Sequence, residues 1–205
     1  MIEDCTAIIL AGGESQRMGH DKANLLLGEQ TLLERVAATM QQVFPLVIVS
    51  VRHLRPDIDL PQVCDEPAEH GKQASAGPLA GLAAGLAQIT TPWAFVVACD
   101  MPFVAAAMVE LLAKSRSGHK AVVPVVQGHQ QPLAAFYAWS CLSAVRAHLA
   151  SGGKNSLRAI LEQLQVRYVD ESELLIADPA LRSFFDLDTP TDVTSAMKND
   201  TKING

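Results

Sequence analysis

Apolar runs of strand length alternate along this chain with patterns of helical spacing. Ala7–Leu10 is a short unbroken apolar run, Leu32–Val43 repeats apolar residues every three or four positions, and Leu46–Val51 is compact again. Pro78–Ile89, Ala94–Cys99 and Ala105–Lys114 continue the alternation. Strands that are apolar on both faces, separated by helices, predict a doubly wound α/β domain whose mostly parallel sheet is covered on both sides. Ala121–Val126 and Leu133–Ala138 flank the polar segment Gln127–Gln131 and read as an antiparallel strand pair at one edge. Helices are predicted over Cys141–Leu149 and Ser156–Leu164, a last strand over Val166–Val169, and a short closing helix over Asp192–Met197. One domain over 1–198 with a flexible tail over 199–205 accounts for the whole pattern.

Gln73–Cys99 carries no charged side chain and repeats glycine at Gly77, Gly81 and Gly85. Its length would suffice to cross the ~30 Å hydrocarbon layer of a bilayer. However, Gln88, Thr90, Thr91 and Pro92 interrupt it, much of the remainder is Ala and Gly, and no basic cluster follows. The stretch reads better as two elements: a helix opened by Pro78 in its first turn, then a buried strand ending at Cys99.

Composition narrows the function classes. Sixteen Lys and Arg against 22 Asp and Glu give a net charge of −6 over 205 residues, without the basic footprint expected for nucleic acid or an anionic bilayer. Cys5, Cys64, Cys99 and Cys141 are far apart and form no C-x-x-C, so neither a zinc site nor a disulfide framework is indicated, and a reducing, cytoplasmic setting is expected. The acidic start, with Glu3 and Asp4, lacks the basic n-region of a secretory signal. The six histidines are scattered and read as surface residues.

The most informative segment follows the first strand directly, from Leu10 to Lys22. Gly12, Gly13 and Gly19 let backbone N–H groups approach an anion closely, Ser15 adds a hydroxyl, and Arg17 and Lys22 bring two cations, a composition suited to polyphosphate. The spacing is neither that of a P-loop, since Ala23 follows Lys22, nor G-x-G-x-x-G. Asp100 ends the uncharged stretch at the carboxyl end of a strand, where open α/β sheets bind ligands. A carboxylate facing a triphosphate calls for a divalent cation between them, with Mg²⁺ the usual ion; the alternative is a helix N-cap. Asp186 and Asp188 form a second acidic site, in which Asp188 is either a metal ligand or the cap of the final helix.

These segments resemble the molybdenum cofactor guanylyltransferases of the MobA-like NTP transferase family. The likeness rests on the loop Leu10–Lys22, on Gly77–Leu82, on Cys99–Pro102, on Gln131–Tyr137 and on Asp188–Pro190, and it spans most of the chain in order. It implies a Rossmann-like nucleotidyltransferase fold and transfer of GMP from GTP to the terminal phosphate of the molybdenum-pterin cofactor, releasing pyrophosphate. On matching positions it implies that Leu10, Ala11 and Gly12 contact the nucleotide, that Lys22 reaches its phosphates, that Asp65 and the turn at Gly77 contribute further contacts, and that Asp100 binds Mg²⁺. Molybdoenzymes or their maturation factors are the implied protein partners. Three positions depart from the pattern: Asp188 stands where Asn is expected, Val51 precedes Arg52 where Asn often occurs, and Gly152–Arg158 is poor in arginine, leaving Lys154 and Arg158 for the acceptor side. The competing readings are a cytidylyltransferase using CTP or another phosphorylated acceptor, and a nucleotide-binding accessory protein without turnover.

Overall fold

The computed structural model describes residues 1–12, 22–64, 77–151, 156–187 and 192. In chain order the elements are β1 (Cys5–Leu10), a 3-10 turn at Lys22–Asn24, β2 (Leu26–Leu27), β3 (Gln30–Thr31), α1 (Leu32–Val43), β4 (Leu46–Val51), β5 (Gln62–Cys64), α2 (Pro78–Gln88) and β6 (Trp93–Ala98). There follow α3 (Ala106–Ala113), β7 (Ala121–Val126), β8 (His129–Gln130), β9 (Ala134–Ala138), α4 (Leu142–Ala150), α5 (Leu157–Leu161), β10 (Val166–Val169) and α6 (Glu171–Leu174), with a 3-10 turn at Arg182–Phe184 after them. Residues 193–205, which hold the rest of the closing helix expected at Asp192–Met197 and the expected tail, lie outside the described residues.

The main sheet runs β10-β7-β9-β6-β1-β4-β5, with β8 paired to β7; β2 and β3 form a separate small ribbon. β6, β1, β4 and β5 are mutually parallel, as the apolar runs predict. β9 runs antiparallel to both β6 and β7. The antiparallel pair thus lies one position inside the edge, because β10 adds to β7 in parallel.

Alternation along the central strands sorts side chains into two cores. Ile9, Phe95, Val97 and Phe136 face α1 and α3, packing with Val36, Met40, Phe44 and Leu112. Ile8, Val96, Ala135 and Tyr137 face the opposite way, onto Leu79, Leu82 and Leu86 of α2, Val145 of α4 and Ile160 of α5. On the first face Phe95 lies 5.7 Å from Phe44 and 4.9 Å from Phe136, centroid to centroid.

The uncharged stretch has a direct structural cause. All residues of α2 from Leu79 to Leu86 are buried, and the following β6 is buried from Ala94 onward, so a charge on either element would be placed out of water. Among the described residues no helix is long and apolar enough to cross a membrane. Gly85 permits close approach of α2 to the sheet: a Cβ there would come within 2.6 Å of Ile8 Cδ1. Thr31 starts α1 with a capping box, its hydroxyl accepting the Glu34 N–H while the Glu34 carboxylate accepts the Thr31 N–H.

Candidate active site

β1 connects onward to β4 and β5 on one side, while β6 returns to its other side. The carboxyl ends of β1 and β6 therefore mark a topological switch point, where an open α/β sheet forms a ligand crevice. The backbone there is fixed by the ladder: the Ala11 N–H donates to Ser50 O at 2.8 Å and the Cys99 N–H to Leu10 O at 3.1 Å. Ala11 is buried and Gly12 half-buried, so Leu10, Ala11 and Gly12 line this end through their main chain rather than through reactive side chains.

Lys22 and Asp100 meet at this point. Lys22 Nζ donates to Asp100 Oδ2 at 2.8 Å, and each side chain retains 18% exposure. Residues 78 positions apart in sequence, beyond the ends of two neighbouring strands, thus form one charged pair. Asp100 is not a helix cap: the next helix, α3, begins at Ala106 with Ala105 at its N-cap. The Asp100 main chain is tied instead to the C-terminal segment, since the Leu187 N–H donates to its carbonyl at 2.9 Å. Leu187 is buried against Leu27 and Leu32, which anchors the segment that leads into the second acidic site.

Gly77 is the N-cap of α2, with Pro78 following in the first turn. Because α2 joins the parallel strands β5 and β6, its N-terminus lies at the same carboxyl edge, and its macrodipole presents positive partial charge there. Its first turn contains no acidic residue. Gly13, Ser15, Arg17, Asp65 and Asp188 lie outside the described residues, as does Lys154. Arg158 is exposed on α5, on the α2 and α4 side of the sheet.

Two features were not singled out from the sequence. Arg55, after β4, donates to Asn24 Oδ1 at 2.6 Å and also pairs with Asp57, thereby bracing the turn that carries Lys22. The same guanidinium, hydrogen-bonded to Asp57, holds that carboxyl below its ordinary range. Phe103, three residues after Asp100, forms a second group with Arg182 and Phe185, the Arg182 Cζ lying 4.5 Å from the Phe103 ring centroid and the two rings 6.4 Å apart. An arginine in an irregular loop and a phenylalanine after a motif give no periodic signal, although Phe185 adjoins the second acidic site that the sequence does mark.

Known proteins share this organisation. The MobA-like NTP transferase domain profile matches residues 7–168. A "Probable molybdenum cofactor guanylyltransferase" of Pelotomaculum thermopropionicum is 34% identical, with 93% of this chain and 91% of the relative covered. A "Molybdenum cofactor guanylyltransferase" of Desulfosudis oleivorans is 31% identical, with 93% of each chain covered. The crystal structure of molybdopterin-guanine dinucleotide biosynthesis protein A from Archaeoglobus fulgidus superposes with a TM-score of 0.82 at 26% identity, covering 96% of this chain and 99% of that one. By the profile match over most of its length and these relatives, the chain belongs to the MobA-like NTP transferase family, among the molybdenum cofactor guanylyltransferases.

Proposed function

We propose that this chain transfers GMP from GTP to the terminal phosphate of the molybdenum-pterin cofactor, at the crevice between β1 and β6. The observation that carries the reading is the meeting of Lys22 and Asp100 at the switch point, 2.8 Å apart, within a family of nucleotidyltransferases. The names of the relatives support GTP as the donor.

The residues present suit a divalent ion of the Mg²⁺ type. Asp100 offers a hard carboxylate oxygen, and among the described residues no group of three or more His, Cys, Asp or Glu is gathered as in an all-protein metal cage. One or two carboxylates completed by phosphate oxygens are the usual Mg²⁺ arrangement, with Asp100 as one holder and Asp188 the candidate for the other. Bound there, the ion would neutralise phosphate charge. Lys22 binds the phosphates through its ammonium, and the main chain of Leu10–Gly12 seats the nucleotide. Asp65 and Gly77 contribute from the neighbouring connections, and Gly13, Ser15 and Arg17 complete the phosphate loop, Arg17 as a second cation on the reacting phosphates.

An acceptor phosphate is already anionic at neutral pH, so no general base is needed. One of its oxygens forms a bond to the α-phosphorus of GTP as the bond from that phosphorus to the bridging oxygen breaks, and pyrophosphate leaves with the electron pair. The barrier consists chiefly of charge repulsion and alignment, and fixed cations lower it by stabilising charge on the transferring group. The four free cysteines fit a reducing, cytoplasmic setting.

A thermal-shift comparison of GTP, CTP, ATP and UTP, each with Mg²⁺, tests the donor assignment. GTP is expected to stabilise the protein most; stronger stabilisation by CTP would transfer the chain to the cytidylyl reading.

A further inference from the structure

We propose that Phe185, backed by Phe103 and Arg182, is the seat on which the flat ring system of the phosphorylated acceptor stacks, beside Asp100. The proposal rests on the guanylyl-transfer reading and assigns the acceptor side of that same site.

Position comes first. Phe103 lies three residues after Asp100, and Phe185 lies two residues before Leu187, whose N–H holds the Asp100 carbonyl at 2.9 Å. The segment that follows Asp100 and the segment that hydrogen-bonds to its main chain therefore each supply one ring. The backbone beneath them is well anchored: the Ser183 hydroxyl accepts the Ala105 N–H at 3.0 Å, and Asp178 accepts the Ser183 N–H at 2.7 Å. Rings carried on such a braced turn are presented in a fixed orientation, which limits the ordering cost of binding.

Chemistry comes second. Phe103 packs against the small core of Leu27, Leu32 and Leu187, so that ring has a structural role of its own. Phe185 belongs to none of the apolar clusters among the described residues and remains 46% exposed, touching Phe103 at an interplanar angle of 48°. Arg182 lies over the other ring, so an exposed aromatic face and a guanidinium occur side by side. A planar heterocycle carrying a phosphate matches both features: the ring stacks on the aromatic face, and the anion is attracted by the guanidinium. A purely apolar partner would gain nothing from the arginine, and free phosphate would gain nothing from the ring.

The test compares wild type with Phe185→Leu, Phe185→Trp and Arg182→Gln in two assays. One is GMP transfer with separate titration of GTP and acceptor. The other is the fluorescence anisotropy of an oxidised 6-alkylpterin phosphate titrated with the protein, and of the same pterin without its phosphate. Phe185→Leu is expected to raise the acceptor KM about tenfold, with the GTP KM and the melting temperature little changed. It should weaken pterin binding by the same factor, and Phe185→Trp should restore both. Arg182→Gln is expected to weaken binding of the phosphorylated pterin and leave the unphosphorylated one unaffected. An unchanged acceptor KM in Phe185→Leu, an equal rise in both KM values, or undiminished pterin binding would overturn the proposal. If wild type transfers no GMP, the guanylyl-transfer reading fails, and pterin anisotropy still decides whether Phe185 is a ring seat.

Discussion

At the scale of single residues the proposed chemistry rests on Lys22 and Asp100. Their contact at 2.8 Å joins a turn after the first strand to the end of the fourth parallel strand of the sheet, and each group retains enough exposure to reach a ligand. Lys22→Ala is expected to cost about 2 kcal/mol of transition-state stabilisation, read as a fall in kcat/KM of roughly thirtyfold. Asp100→Ala is expected to abolish transfer while the circular dichroism spectrum stays that of wild type. Near-normal pyrophosphate release by that variant would remove the metal-holding role. The cysteines offer an independent check. Cys64 is exposed, whereas Cys5, Cys99 and Cys141 are buried, and burial pushes the Cys141 thiol up to about 11 and raises the Cys5 thiol as well. Native protein at pH 8 is expected to alkylate at Cys64 alone, with the other three reacting only after unfolding, and mass mapping of the labelled peptides decides it. Because Cys64 precedes Asp65, GTP should slow that labelling if Asp65 is a nucleotide contact. Lys22 and Asp100 were legible in the sequence because charges stand out at the ends of apolar runs. Arg55 and Phe185 were not, since their roles depend on which loops meet across the sheet edge.

The elements position these residues through packing that single substitutions can probe. Gly85 is the point at which α2 approaches β1, and a Cβ there would lie 2.6 Å from Ile8 Cδ1 and 2.9 Å from its Cγ2. Gly85→Ala is expected to destabilise by about 1–3 kcal/mol through overpacking. At this chain length each kcal/mol lowers the melting temperature by roughly 2–4 °C. Thr31→Ala removes the hydroxyl of the α1 capping box and is expected to cost about 1 kcal/mol, measurable as a lower urea midpoint with an unchanged slope. Helix and strand spacing made β1, α1, β4, α2, β6 and α3 readable to within about a residue or two at most ends, the usual accuracy of such boundaries. β5 escaped because it has only three residues with little alternation, and the α5 helix stops at Leu161 rather than at the expected Leu164. The insertion of β9 between β6 and β7 is a matter of pairing partner and register, set by contacts remote in sequence rather than by any local pattern.

For the whole molecule, the described part of the uncharged stretch that could have suggested a membrane span is a helix packed on one face of the sheet and a strand inside that sheet. One half is a helix buried along its length, the other a strand with neighbours on both edges, and the first charge after them is Asp100 at the crevice. The same architecture separates the edge proposed for catalysis from the packing that supports it, so losses of activity and losses of stability should divide between the two groups of variants. Family membership makes the reaction specific enough to measure directly. GTP labelled at its α-phosphate is incubated with the molybdenum-pterin acceptor and Mg²⁺, and the label is followed alongside pyrophosphate, with CTP in a parallel reaction. Label moving into the acceptor with an equal amount of pyrophosphate, and much faster from GTP than from CTP, is the predicted result. Absence of transfer at saturating acceptor, or faster transfer from CTP, would contradict it.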